Sequence, residues 1–465
     1  MGVPRAGQPK PEDGRRLRDR IALGVLTATY PQEQVDQVLE ACGRRELRYR
    51  LLPARMVVYY VLAMTLFREA GYEEVLRELT EGLGWRARTA LVIPSSVAIS
   101  KARARLGPEP LAQLFRAACI PLAQLDTRGA FYRGWRVVSM DGTTLDTADT
   151  ASNLEAFGRP GAARGEAAFP QLRIVALAES GTRAIFAAAM GAYRTGEVTL
   201  AHQLVAALDP SMLILADRGF TAHPLFSAMA GTGAQLCWRA KANAVLPVLE
   251  RYSDGSFRSE LVASPDKSSR RNVLPVRVIE YGVEDPGRPQ AEAVTYRLVT
   301  TILDPKRAPA PELAALYAER WEFESALDEL KTHQRGPRVV LRSKVADGVY
   351  QEAWGMLCVH YAIRALLCKA AHHTDVDPDR VSFPRTMRAA RRSIRRSSSP
   401  LSLAAEVFHA TSEILQELLP KRRLRANPRV VRRKMSNFGV KRPEHRLWPQ
   451  PTLPIFQAIR ILSPP

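Results

Sequence analysis

The chain has few of the residues that build metal clusters or disulfide scaffolds. Its 465 residues include five cysteines and eight histidines. Cys42, Cys119, Cys237, Cys358 and Cys368 are widely spaced and form no CxxC pair, which excludes a zinc signature and fits a reducing compartment. His372-His373 near Asp375 and Asp377 reads as a solvated loop rather than a metal site. Long apolar runs are also missing. The longest uncharged stretch of the N-terminal region, "MVVYYVLAMTLF" (56–67), is too short to span a bilayer and reads as a buried helix. The opening "MGVPRAGQPKPEDGRR" has no apolar secretion core, so a soluble, intracellular protein is expected. Negative charge is scarce too: 47 acids face 67 Lys and Arg, giving +20 and a pI near 10.1. That balance points to a polyanionic partner. From Arg380 onward, nineteen Lys and Arg face four Glu and no Asp, so the C-terminal region holds most of the excess.

A chain this long divides into several units. Residues 17–122 carry a helical pattern punctuated at Pro31, Pro53 and "IPSS". "PSSVAISKARARLGPEPLAQLF" predicts two helices about Gly107-Pro108, with Ser95 or Ser96 as N-cap. Lys101, Arg103 and Arg105 make this pair either a helix-turn-helix reader or an ordinary pair with a basic face. After Tyr132 the texture becomes that of a mixed α/β sheet: strands at "WRVVSMDGTTL", "QLRIVALAES", "RAIFAAAMGAY", "SMLILADRGF" and "AQLCWRAKA", with helices between. Residues 243–304 are turn-rich with short alternating strands and predict an all-β insertion apart from that core. A long helix is predicted over 345–371, and "RRSIRRSSSP" reads as a basic loop or linker.

The chemistry is concentrated in "LYAERWEFESALDELKTH" (316–333). At about 100° per residue, Tyr317, Arg320, Glu324 and Lys331 fall within roughly 60° of one helix face. Leu316, Phe323, Leu327 and Leu330 form the adjoining apolar stripe. Two more acids stand out. Asp141 and Asp217 each follow an apolar strand, which would place both at the carboxyl edge of a sheet. Three carboxylates without a His or Cys cluster suit a hard cation such as Mg²⁺. Two such ions about 3.5–4 Å apart serve in-line phosphoryl displacement.

These residues carry a family resemblance. The Y-(2)-R-(3)-E-(6)-K spacing of Tyr317, Arg320, Glu324 and Lys331, with "DGTTLD" and "LADRGF" as first and second acid motifs, resembles the DDE cut-and-paste insertion-sequence transposases of the YREK-signature (IS-four) family. The resemblance runs over about 17–368. It implies an RNase H-like catalytic core with Asp141, Asp217 and Glu324 as catalytic metal ligands for Mg²⁺, Mn²⁺ being a plausible substitute. Tyr317, Arg320 and Lys331 would contact the DNA backbone; Arg offers a planar fork for phosphate and Lys a point charge. It further implies nicking at the element's end, attack of the freed 3′-OH on the opposite strand, commonly through a hairpin, and then attack on target DNA. The expected partners are double-stranded DNA, as terminal inverted repeats and target, and a second copy in a synaptic homodimer. The expected place is the cytoplasm, at the nucleoid when bound.

The organisation expected on this basis is a helical N-terminal DNA-binding domain (17–125), the first part of the core (130–242), the β-rich insertion (243–304), the second part with the YREK helix (305–375) and a basic C-terminal region (376–465). Asp146 and Asp149 compete with Asp141, and Asp328 with Glu324; the motif favours Asp141 and Glu324. Asp146 is expected to cap a loop and Asp328 to pair with Lys331. Arg218 is open to DNA contact or an ion pair, and Trp238 and Trp321 are expected in the core rather than stacked on a base. A nuclease without strand transfer and a non-catalytic DNA-binding relative are the competing readings.

Overall fold

Twelve residues of continuous strand, with Trp135, Val137, Val138, Ser139 and Met140 buried, make β1 (Trp135–Asp146) the middle of a sheet. The fold is that of a computed structural model, which describes residues 24–45, 52–84, 93–162, 165–241, 243–263, 272–284, 295–336, 339–396, 403–420, 430–431, 439–447 and 453–462. On one side of β1, β2 (Gln171–Glu179) and then β3 (Ile185–Ala192) pair antiparallel. On the other, β4 (Met212–Ala216) and then β5 (Gln235–Arg239) run parallel to it. The order β3-β2-β1-β4-β5, three antiparallel strands followed by two parallel ones, is the RNase H-like core.

The sheet does not stop there. Beyond it come β6 (Glu250–Arg251), β7 (Phe257–Leu261), β8 (Leu274–Val283) and β9 (Tyr296–Thr300). β9 pairs antiparallel with β5, Val299 opposite Trp238, and the order continues β5-β9-β8-β7-β6. The described residues of 243–304 are therefore β-rich as their alternation predicts, but they extend the core sheet instead of standing apart. The reason lies in β5: Cys237 and Trp238 are fully buried, and a strand covered on both faces has no place at an open edge. A late strand, β10 (Ile459–Ile461), pairs with β8 from within the basic C-terminal region.

Two apolar layers cover the sheet. Val138, Met140, Ile214, Ala216 and Trp238 face one side, and Val137, Leu213, Leu215 and Cys237 face the other. Trp238 meets Phe226 edge-on at 5.1 Å, as expected of a core tryptophan.

The longer α-helices of the described residues occur in chain order as α1 (Gln32–Ala41), α2 (Ala54–Leu66), α3 (Tyr72–Gly84), α4 (Ser96–Leu106), α5 (Glu109–Ala118), α6 (Ala151–Phe157), α7 (Glu197–His202), α8 (His223–Ala230), α9 (Ala310–Tyr317), α10 (Trp321–Asp328), α11 (Ala346–His373), α12 (Phe383–Arg396) and α13 (Leu403–Leu415). Among the described residues none is long and apolar enough to cross a membrane. Twenty of the twenty-eight residues of α11 are buried. It gathers α2, α5, α12 and α13 into one core that also contains Phe323, Leu330 and the outer face of β2 (Leu172, Ile174, Ala176). α2, almost wholly buried, is the apolar run noted above.

Ser95 caps α4 by accepting from the Ala98 N–H, and Gly107 turns the chain at φ +71°. The basic face expected on α4 is partly inward. Arg103 is buried and donates to Gln351, Ser343 and the Gly348 carbonyl at 2.9–3.1 Å, so it ties α4 to α11. The expected linker "RRSIRR" is instead the end of α12, because Ala389, Ala390 and Ile394 recur at helical spacing and are buried. Residues 397–402 and most of 421–438, where further basic sequence lies, fall outside the described residues.

Candidate active site

In parallel pairing Met140 lies opposite Ala216, so the next residues, Asp141 and Asp217, are lateral neighbours on strands about 4.8 Å apart. Period-two alternation then gives Asp141 the face of Val137 and Asp217 that of Leu213 and Leu215, which α9 covers. Asp217 does follow its strand, as the sequence predicts. Asp141 does not. It sits in mid-strand, since β1 runs on to Asp146 against β2 after its ladder with β4 has ended. The apolar run "WRVVSM" marks the end of two-sided burial, not of the strand.

The Asp217 carboxylate is held locally: its Oδ1 accepts from the Gly219 N–H at 2.6 Å, an Asx turn. A Cβ at Gly219 would lie 2.9 Å from that oxygen, so any other residue there would push the carboxylate aside. Asp141 Oδ1 accepts from the Gly142 N–H at 2.7 Å.

The signature run crosses β1 as an irregular helix. α9 ends at Tyr317, a 3₁₀ turn covers Ala318–Arg320, α10 follows, and a π-helical turn spans Glu329–Gln334. A 3₁₀ turn tightens the helix and a π turn widens it, so the four signature residues depart from ideal α-helical angles. Arg320 Nη1 donates to Asp141 Oδ2 at 3.0 Å, and Nη2 lies 3.8 Å from Glu324 Oε1. Lys331 Nζ donates to Thr143 Oγ1 at 2.9 Å, two residues beyond Asp141 on the same face. Tyr317 is 6% exposed and donates its hydroxyl to the Ala216 carbonyl at 3.3 Å, bracing the residue before Asp217. It belongs to the buried face itself, whereas Leu316 and Leu327 of the expected stripe are only half-buried.

Burial pushes the Asp141 carboxyl up to about 6; Arg320 and the Gly142 N–H oppose this, while Asp217 and Glu324 add to it. Asp141 thus feels both other carboxylates, and Arg320 stands among the three as the compensating cation. Among the described residues no three His, Cys, Asp or Glu side chains are gathered at ligating distance. The donor set is nonetheless all oxygen and anionic, as a hard divalent cation requires. Among the described residues the buried Arg320 Nε has no hydrogen-bond partner, which leaves this guanidinium incompletely satisfied where it now lies.

The competing acids are engaged elsewhere. Asp146 accepts from Gln171 at 2.7 Å, and Asp149 pairs with Arg159. Asp328 is exposed and faces His333 at 3.4 Å, not Lys331 as expected, because Lys331 reaches Thr143. Arg218 is exposed and Trp321 half-buried, 5.8 Å from the Arg320 guanidinium.

Sequence reasoning missed what grips the far side of the helix. Arg183, at φ +56° in the β2–β3 hairpin, donates to Glu322 at 2.6 Å and Glu329 at 3.2 Å and pairs with Asp379 at 2.6 Å. Glu329 also takes the Arg364 Nε at 2.8 Å and lies 3.3 Å from His360 Nε2. A signal was there: Glu322 and Glu329 are seven residues apart, beside Phe323 and Leu330 on the apolar stripe, where an unpaired acid would be costly.

The chain is similar to known transposases. Residues 20–116 match the family described as insertion element 4 transposase N-terminal, and residues 133–362 match the transposase DDE domain. The transposase InsG for insertion sequence element IS4 of Escherichia coli (strain K12) is 28% identical over 431 residues, 91% of this chain and 92% of that one. The putative transposase InsZ of the same strain is 25% identical over 248 residues, 52% of this chain and 77% of its own. The N-terminal match, the DDE match in its proper order behind it, and the near full-length likeness to InsG together make this chain a member of the IS4 family of DDE transposases.

Proposed function

We propose that the protein excises and inserts an insertion-sequence element by divalent-metal-dependent hydrolysis and strand transfer at one site, with Asp141, Asp217 and Glu324 as the catalytic acids. The observation that carries this reading is the Arg320 guanidinium between Asp141 and Glu324, beside a strand register that makes Asp141 and Asp217 neighbours. Such a cluster needs positive charge in any state in which all three acids are ionised. The acids would hold Mg²⁺ or Mn²⁺, which when bound supplies charge neutralisation at the phosphodiester and makes the attacking oxygen easier to deprotonate.

The chain's own residues do the rest. Arg320, released from Asp141, offers a fork to a backbone phosphate, and Lys331 a point charge beside Thr143. Tyr317 fixes the end of β4 and hence Asp217; to donate to a phosphate it must give up the Ala216 carbonyl. The substrate is double-stranded DNA carrying the element's inverted repeats, and two ends require a second copy of the chain.

The test is cleavage of such DNA by wild type and Glu324→Gln, which removes one charge while nearly keeping shape. Wild type is expected to nick at the repeat ends and, with target DNA, to give joined products. The variant should bind but cut slower by roughly three orders of magnitude. Cutting without joined products would favour a nuclease. Binding without cutting in Mg²⁺ and Mn²⁺ would make this a non-catalytic DNA-binding relative.

A further inference from the structure

Past Lys331 the signature helix ends in a cleft with an excess of positive charge. About 80 Å³ in volume, it is lined by Met64, Arg68, Arg335, Leu341, Arg342 and Glu352, among others. Three guanidiniums thus face one carboxylate, and that carboxylate is engaged. Glu352 Oε2 accepts from the Arg342 N–H at 3.0 Å and Oε1 from the Ser343 hydroxyl at 2.5 Å.

The three arginines differ in how they are satisfied. Arg342 is structural: it donates to the Ala70 and Met64 carbonyls at 2.8 Å each. Arg335 is only 6% exposed, yet its buried Nε and Nη1 have no partner among the described residues. Burial holds its pKa down and the Asp146 carboxylate opposes this at a distance. Arg68 comes from the loop after α2, is half-buried, and has no ion pair among the described residues. Burial, with Arg335 and Arg342 beside it, pushes Arg68 down to about 10. Buried donors are rarely left unpaired in native proteins, and like charges are rarely gathered without a counter-charge. An oxyanion with several acceptors answers both needs, and the guanidinium fork matches phosphate.

Position bears on which phosphate. Asp146, the acid that Arg335 senses, ends the strand that carries Asp141 five residues earlier. At about 3.4 Å per residue that is roughly 17 Å, close to five base-pair steps of duplex. Lys331, which reaches Thr143 on the Asp141 face, precedes Arg335 by four residues in the same helical run, so the cleft lies along the path of a backbone engaged at the three-acid site.

We propose that this cleft is a phosphate-binding site, distinct from the three-acid site, that clamps a DNA backbone phosphate with Arg335 as the deep fork and Arg68 as the outer one. The DNA source of the phosphate rests on the transposase reading above; the anion chemistry does not.

The test uses the full chain in EDTA, so that cutting does not intervene. Binding of a short duplex is measured over a salt series for wild type, Arg335→Met, Arg335→Lys and Arg68→Met. Thermal melting is followed with and without inorganic phosphate at fixed ionic strength. Arg335→Met is expected to melt no lower than wild type, since it removes an unpartnered buried charge, and to bind DNA about tenfold or more weakly. The slope of log K against log salt should become shallower by about 0.9, one phosphate contact. Arg335→Lys should recover part of that slope, Arg68→Met should lose part, and inorganic phosphate should raise the melting temperature of wild type but not of Arg335→Met.

Unchanged affinity and slope in Arg335→Met would overturn the proposal. So would a lower melting temperature with DNA binding intact, which makes Arg335 a structural residue. A phosphate-dependent rise in wild type without any change in DNA binding would overturn the DNA source and leave a free-anion site. A chain that bound no duplex at any salt would overturn the transposase reading and this assignment together.

Discussion

With its guanidinium 3.0 Å from Asp141 and 3.8 Å from Glu324, Arg320 competes with any other cation for the same carboxylates. Coulomb attraction at this range, partly buried, is worth several kcal/mol before desolvation. Arg320→Gln is therefore expected to bind Mn²⁺ more tightly in the absence of DNA, by about tenfold or more, at a pH above the Asp141 value of about 6. It should still cleave more slowly, because the fork for phosphate is lost. Titration of Mn²⁺ by electron paramagnetic resonance, beside a cleavage assay, reads both; equal Mn²⁺ affinity would show that the guanidinium does not compete. At this scale the sequence was most legible where spacing is rigid. Four residues at fixed helical offsets and two acid motifs pointed to side chains that lie along the run from α9 to the π turn, in β1 and just after β4. Thr143 was not legible: one threonine in a strand has no periodic partner, and its role follows only from where the Lys331 ammonium reaches.

On its far side the helix carrying Glu324 is held by charge. Glu329 lies among Arg364, Arg183 and His360, and despite its burial its carboxyl is held down at about 2. Its folded value is below the unfolded one near 4.5, so its contribution to stability is complete above that value and is lost as pH falls toward 2. Glu329→Gln should cost roughly 3–5 kcal/mol at pH 7, by leaving buried guanidiniums without their acid. The gap to wild type should close as pH is lowered from about 4.5 to about 2, as denaturant melts at several pH values would show. A pH-independent gap would mean that Glu329 is not the charged partner. His360, buried and held below its usual value, also weakens the fold as pH drops below about 6.5, because only the unfolded chain then gains that proton. Strand and helix identities were readable from alternation and periodicity, as for β4 and α2. The 3₁₀ and π turns were not, since they arise where Tyr317, Glu322 and Glu329 are drawn to partners remote in sequence. For the same reason Asp141 looked like a strand end: its outer neighbour β2 is out of reach of a local pattern.

For the whole molecule, the described helices of the N-terminal region share their core with α11–α13, and the β-rich segment shares the core sheet. Linear segmentation by composition sees texture but not who packs on whom, so the all-β segment read as separate and the basic stretch before residue 397 as a linker. One expectation follows for dissection. A fragment ending at residue 125 keeps α2, nearly all of whose residues are buried in the full chain, yet lacks the α11 face that covers it. It should be insoluble or bind a hydrophobic dye as a molten state, while adding residues 345–396 in trans should restore a cooperative melt. A well-folded soluble fragment would mean that the early helices cover one another unaided.

The place of α11 also sets a clock on the ribosome. It ends at residue 373 and α2 at residue 66, so at about 5–20 residues per second roughly 15–60 s separate their syntheses. Throughout that interval the nascent chain displays an apolar helix whose partner has not been made. The protein should therefore lean on holding chaperones during translation, and a ribosome that stalls before α11 releases a product for proteolysis rather than a partial enzyme.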